Sequence, residues 1–342
     1  MQATGGNESI VFFTRHSDNG RFLDEFKKNG AEVRDISKFT DNKWLYFLNL
    51  IYRGIITGYI NSQKQKPVVF NGQCNFAYKI SPWVKNTIHQ IELIHSINTF
   101  SYIRIPFIPF ISKTIMISRK RIEDHKELYK RKNIPSVLLN KITYIPNAIN
   151  LPEQVPSKDP NSFTILYVGR GTVEKRVRLV AEIARRFTKM VQPINFEIMG
   201  DVSGAINEID YPFVKFYGNK SDEKVINSVY SKAHILILPS ITEGFPMVIM
   251  EAMAHGCAIL STAVGDIPYH VKNNENGFLF SKTEEEDVII NEATERISWL
   301  NNNRDKLERM AANNVEYAKE TFGIERFNKE YRELFSSLKP EN

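Results

Sequence analysis

Short apolar runs alternate with amphipathic stretches along almost the whole chain. Residues 10–14 (IVFFT), 31–36, 67–70, 91–94, 114–118 and a run within 137–145 read as strands. Between the first of them, residues 21–28 and 43–62 read as helices, the former stopped by Asn29-Gly30, a helix-ending pair. A second series starts at 163–168 (FTILYV) and continues with strands at 194–199, 214–217, 234–238, 258–261 and 277–280. Its helices are predicted at 175–189, with Val177, Val180, Ala181, Ala184 and Phe187 on one stripe, at 221–233, and at 246–255. The last has Pro246 at its start and Gly256 past its end. Three further helices are expected at about 284–301, 304–321 and 324–338. Strands that are apolar throughout, each followed by a helix, predict parallel sheets covered on both faces, an α/β architecture.

Residues 150–161 (NLPEQVPSKDPN) hold three prolines among polar residues and divide the two series. The chain therefore reads as two doubly wound domains, 1–150 and 151–323, and 342 residues is a length that suits two. In such sheets ligands bind outside the carboxyl ends of the strands, and two facing domains make the central cleft the expected site. Composition adds little: 42% hydrophobic and 25% charged residues exclude a disordered or collagenous chain. Cys74 and Cys257 form no CxxC pair and no metal spacing, which suits reduced thiols in the cytoplasm.

Charge does change the picture. The formal net charge is +6, but residues 1–150 carry 22 Lys+Arg against 11 Asp+Glu, a net +11, and the remainder carries −5. The two halves are thus expected to meet different partners. The N-terminus has no basic segment followed by an apolar one, so no signal peptide is expected. Residues 45–60 are the longest apolar stretch, interrupted by Asn49, Arg53, Gly54 and Gly58, too short to span a bilayer. Residues 102–117 admit two readings: a buried strand with its loop, which ordinary burial favours, or a membrane-surface segment beside the basic run at 119–121.

Two motifs bear chemistry. Gly169-Arg170-Gly171-Thr172-Val173-Glu174-Lys175 directly follows a strand. Gly169 permits a turn and the close approach of a ligand, while Arg170 and Lys175, the latter expected at the start of the next helix, are two cations suited to a diphosphate. The spacing is neither GxxxxGK[ST] nor GxGxxG. The alternative is a solvated basic turn.

The second motif runs from Ser240 through Glu243-Gly244-Phe245-Pro246-Met247-Val248 to Glu251 and Gly256. Glu243 lies in the loop after a strand. The helix starting at Pro246 would aim the N–H groups of Phe245, Met247 and Val248 at an anion or a sugar oxygen. Glu251 follows inside that helix, among apolar neighbours, where a carboxylate is costly unless paired. The two hydroxyls of a ribose would satisfy it; so would a Lys or Arg of a neighbouring element.

The Glu243-x7-Glu251 spacing and the Arg170…Lys175 pair, in their strand–loop–helix setting, resemble glycosyltransferase family 4, the retaining enzymes of the GT-B fold among the glycosyl transferases of group 1. Residues 145–149 (IPNAI), 198–201 (IMGD), 265–268 (GDIP) and 276–279 (NGFL) agree with it. The resemblance covers roughly residues 114–335. It implies two Rossmann-like domains facing a cleft, with the acceptor side at 1–150 and the nucleotide-sugar donor domain at 151–323. The helix 324–338 is expected to cross back onto the first domain.

By the same resemblance, Arg170 and Lys175 bind the donor diphosphate, with Gly169 in the turn, and Glu251 holds the ribose. Glu243 contacts the donor sugar, and the backbone of Gly244, Phe245, Pro246 and Met247 contacts sugar and phosphate. His95 faces the donor sugar as a second catalytic residue. The basic pair replaces a metal, so no metal or cofactor is implied. The donor would be a UDP- or GDP-sugar, and the acceptor a glycan or lipid-linked glycan in cell-surface polysaccharide or glycolipid synthesis. The location would be cytoplasmic, peripheral to the inner face of an anionic membrane, without nucleic acid. One departure stands out. The family's glycine-rich loop after the first strand is here Arg15-His16-Ser17-Asp18-Asn19-Gly20, and Gly5-Gly6 precede the strand instead.

Two other functions compete. A nucleotide-sugar epimerase on the same scaffold would need further acid–base groups around the sugar. A non-catalytic subunit would not need the complete Arg, Lys and two-Glu set. No glycosidase-like carboxylate pair is evident, which argues against hydrolysis.

Overall fold

The computed structural model describes residues 8–16, 21–41, 46–95, 99–155, 157–189 and 194–338. Gly5-Gly6, residues 17–20 and the first residues of the helix expected from 43 lie outside these. Chain contacts divide the protein into one unit of residues 1–146 and 328–342 and another of 147–327. The division falls at 146/147, just before the proline-rich stretch, and within the last helix, Ile324–Ser336.

The C-terminal unit is built on six strands: β7 (Thr164–Val168), β8 (Asn195–Met199), β9 (Val214–Gly218), β10 (Ile235–Leu238), β11 (Ala258–Thr262) and β12 (Gly277–Phe280). All pair in parallel, in the order β12-β11-β10-β7-β8-β9. The chain winds outward from β7 to β9, then returns to the other side of β7 with β10. The switch point between β7 and β10 is where a doubly wound sheet opens a crevice. β10 and β11 are buried at every position, as expected of strands covered on both faces. The stripe on the helix Val177–Phe187 is buried as its period predicts.

The N-terminal unit holds β1 (Ile10–Phe13), β2 (Glu32–Asp35), β3 (Val68–Asn71), β4 (His89–Ile94), β5 (Lys113–Met116) and β6 (Ile142–Tyr144). β1 pairs with β2, and β3-β4-β5-β6 form a separate sheet, every pairing parallel. Among the described residues no ladder joins β1 to β3. Side chains connect them instead: Phe12 of β1 and Val69 of β3 pack on one cluster with Ile36, Ile56, Ile60 and Phe76.

Residues 102–117 follow the buried reading in part, with Tyr102 and Phe110 left exposed. Ile105–Phe110 form a 3-10 turn, Ile108 and Ile111 are buried, and β5 is buried from Thr114 on. Lys141 collects the carbonyls of Ile108, Pro109 and Ile111 at 3.3, 3.2 and 2.6 Å. Several helices escape the sequence pattern, the short ones at Ser37–Thr40, Thr99–Ile103 and Ile267–His270 and then Asn75–Ile80 and Arg119–Arg131. Arg119–Arg131 is charged on most of its surface and buries only His125, Leu128 and Tyr129, so its apolar stripe is thin. No described helix is long and apolar enough to cross a membrane.

Candidate donor site of the C-terminal unit

The site opens at the carboxyl ends of β7 and β8. Gly169 extends β7 by donating its N–H to the Met199 carbonyl at 3.0 Å, and Gly171 donates to Asp201 at 2.7 Å. Gly200 sits at φ 134°, and a Cβ there would lie 1.9 Å from the Gly169 carbonyl oxygen. Only glycine lets these two strand ends come together. The Tyr167 hydroxyl donates to the Arg170 carbonyl at 3.0 Å and fixes the turn. The Arg170 side chain is exposed and makes no hydrogen bond or ion pair among the described residues.

Lys175 does not start the next helix. Val173–Lys175 form a 3-10 turn, Arg176 takes a left-handed conformation (φ 49°), and the helix begins at Val177. This break turns Lys175 toward the loop after β10. Its Nζ donates to Glu243 Oε1 at 2.6 Å, and Ile241 N–H donates to the Glu174 carbonyl at 2.8 Å. Lys175 and Glu243, one from each motif, are therefore a largely buried ion pair.

The loop from Glu243 to Pro246 is held from behind. Asp266 N–H donates to the Gly244 carbonyl at 2.8 Å. A Cβ on Gly265 (φ +58°) would meet the Glu243 and Gly244 carbonyl oxygens at 2.3 Å. Phe245 is buried, its ring 4.1 Å from that of His270 and 5.2 Å from that of Phe322. His270 is thus a packing residue, its Nδ1 hydrogen-bonded to the Tyr317 hydroxyl at 2.7 Å. Pro246 takes the N-cap position and the helix is Met247–Ala254, so Met247 and Val248 are its first N–H groups, which have no partner within the helix.

Glu251 projects from this helix into a cavity of about 580 Å³. Gly169, Arg170, Gly200, Asp201 and Lys220 are among the other residues lining that cavity. Among the described residues no Lys or Arg pairs with Glu251. Its side-chain partner among the described residues is the buried hydroxyl of Tyr230, which donates to Oε2 at 2.7 Å. Tyr230 stacks on His255 (ring centroids 5.4 Å apart), and His255 Nδ1 hydrogen-bonds the Glu251 carbonyl at 2.8 Å. Burial raises the Glu251 carboxyl above its ordinary pKa, against the Tyr230 hydrogen bond, and pushes the Tyr230 phenol well up. Tyr230 escapes the sequence reading, because only the fold sets it beside Glu251.

The two motifs thus converge in one unit. Gly169, Arg170 and Glu251 line the cavity, and Lys175 is joined to Glu243. His95 follows β4 in the other unit, exposed, its N–H donating to Gln73 Oε1 at 3.3 Å. Among the described residues no three His, Cys, Asp or Glu side chains gather as metal ligands.

Residues 151–317 match the family model described as glycosyl transferases group 1. An uncharacterized glycosyltransferase of Methanocaldococcus jannaschii is 26% identical over 216 residues, covering 61% of this chain and 58% of that protein. The capsular polysaccharide biosynthesis glycosyltransferase CapM of Staphylococcus aureus is 24% identical, covering 85% of this chain and 84% of its own length. Among solved structures, HepE of Anabaena in complex with UDP superposes with a TM-score of 0.72 at 17% identity, covering 96% of this chain and 92% of that one. A glycosyltransferase of Rickettsia africae gives 0.74 at 16% identity, covering 98% and 92%. These likenesses show the GT-B fold. Residues 151–317, just under half of the chain, are thus a domain of the glycosyl transferases of group 1, set on that fold.

Proposed function

We propose that the chain is a retaining glycosyltransferase that moves a sugar from a nucleotide-sugar to an acceptor hydroxyl. The observation that carries this reading is Glu251. It is a carboxylate held by Tyr230 on one oxygen, with no cation partner among the described residues, lining the same cavity as Arg170. A half-buried acceptor of this kind suits a ribose diol, and a guanidinium without a partner among the described residues, at the same cavity, suits a diphosphate. HepE has been solved with UDP and with UDP-glucose, which supports a uridine donor over a guanosine one.

Arg170 stabilises the charge that develops on the departing nucleoside diphosphate, together with the first N–H groups of the helix at Met247 and Val248. Lys175 shares its ammonium between Glu243 and the phosphate, since one of its three protons holds Glu243 and two remain. This donor set neutralises the diphosphate without a metal ion. The Glu243–Met247 loop holds the donor sugar, with His95 of the acceptor-side unit assigned to it by family resemblance. The acceptor hydroxyl attacks on the leaving-group face, and the departing phosphate takes its proton.

The +11 charge of residues 1–150 supports an anionic acceptor, a glycan or lipid-linked glycan at the cytoplasmic face of a membrane. The likeness to CapM supports a role in surface polysaccharide synthesis. Arg170→Ala and Glu251→Ala should each abolish sugar transfer while the melting temperature changes little. Full activity in either variant rules out this site.

A further inference from the structure

The helix Tyr46–Asn61 leaves one face uncovered. Tyr46, Phe47, Leu50, Ile51 and Ile55 are each 44–58% exposed. They recur at the spacing of adjacent turns, so they form one continuous stripe, with Gly54 and Gly58 continuing it. The opposite side, Ile56, Thr57 and Ile60, is buried in the N-terminal unit. An apolar helix face of this size on a surface marks an interaction site.

Charge identifies the partner. From residue 42 to residue 91 the chain contains no Asp or Glu and six Lys or Arg. Arg53, the helix's one charged residue, is buried, its guanidinium 5.6 Å from the Tyr46 ring centre. Lys79 lies 5.8 Å from the same ring. At the other end Asn61 bonds the backbone of Trp83, whose side chain is half exposed, and Lys85 Nζ donates to the Asn61 carbonyl at 2.9 Å. Apolar side chains flanked by Tyr, Trp and Lys, with no carboxylate in the segment, match an interface of acyl chains below anionic headgroups.

We infer that this face of the N-terminal unit docks on an anionic lipid bilayer, with Phe47, Leu50, Ile51 and Ile55 entering the acyl boundary and Lys79 and Lys85 at headgroup level. The inference rests on the membrane part of the proposed function and not on its chemistry. It assigns the contact to this helix rather than to residues 102–117.

Full-length protein should co-sediment with phosphatidylcholine vesicles containing phosphatidylglycerol and much less with phosphatidylcholine alone. Ile51→Glu/Ile55→Glu, both at exposed positions, should weaken that binding by about tenfold or more at unchanged melting temperature. Transfer to a water-soluble acceptor should be unchanged. Ile51→Trp should keep binding, and its fluorescence should be quenched by brominated acyl chains. Wild-type binding that survives the double Glu variant overturns the helix assignment and leaves the membrane reading intact. No binding of the wild type to any vesicle overturns both, while transfer activity would still stand. A dimer of the wild type that the double Glu variant abolishes, without vesicle binding, makes a second copy the occupant and overturns the lipid assignment.

Discussion

Glu251 illustrates how a side chain acquires a role from its surroundings. Inside an apolar helix its burial favours the neutral acid, and the Tyr230 hydroxyl partly restores the anion. In the free protein the raised pKa means that Glu251 adds stability at low pH, lost as pH rises through the raised value. Donor binding runs the other way, because the carboxylate must accept from ribose hydroxyls. Affinity for a nucleoside diphosphate should therefore fall on acidification at a pH above the ordinary carboxylate range. Tyr230→Phe removes the hydrogen bond that lowers the pKa and should move this acid limb to higher pH. Glu251→Gln should weaken binding and flatten the limb. Calorimetric titration of UDP across pH measures all three, and an acid limb unmoved in Tyr230→Phe would exclude the coupling. The Glu243-x7-Glu251 spacing was readable because both residues sit within one loop and the helix that follows it. Tyr230 was not readable, because a tyrosine 21 residues earlier gains its meaning only when the strand between them folds.

Elements in the two units are joined in contrasting ways. In the N-terminal unit a buried charge network links β4, β5 and two helices. Arg104 donates from Nε to Glu92 Oε2 at 2.9 Å, with a second Nη2 contact to Oε1, and from Nη1 to the Tyr129 hydroxyl at 3.1 Å. Thr114 and Tyr78 complete the Glu92 shell at 2.6 and 2.8 Å. Burial pushes the Glu92 carboxyl up, but the guanidinium and these hydrogen bonds hold it below its usual range. Arg104→Met alone strands a buried carboxylate and should cost about 3–5 kcal/mol in urea unfolding. The double variant Arg104→Met/Glu92→Leu should cost clearly less, since it removes both charges; equal losses would show that packing rather than charge is at stake. The pairing is not legible along the chain: Glu92 lies inside an apolar strand, and Arg104 reads there only as a charge that interrupts an apolar stretch. The strands of the C-terminal unit were legible because burial on both faces writes continuous apolar runs. The Lys175 turn was not, since no local signal announces the left-handed Arg176, whose side chain meets Thr283 and Glu286 more than a hundred residues on, while Lys175 meets Glu243.

At the scale of the molecule, each unit has its own parallel strands and core, and the described cavity of the candidate donor site is lined by residues of 147–327. A nucleoside diphosphate at a hundredfold excess over its Kd should add about 2.7 kcal/mol of apparent stability. In hydrogen exchange the slowed amides should be those around Gly169–Gly171, Gly200 and the helix Met247–Ala254. Protection confined to β3–β6 would place the nucleotide in the other unit. By itself, the sequence determined the α/β class, the two series of parallel strands and the two motifs, because hydrophobic period, turn residues and local spacing are properties of neighbouring positions. The tertiary structure alone decided that Lys175 pairs with Glu243, that Tyr230 holds Glu251, and that the longest apolar stretch leaves one face in water. Those facts depend on which distant segments meet and which surfaces they leave uncovered, and no window along the chain contains both partners.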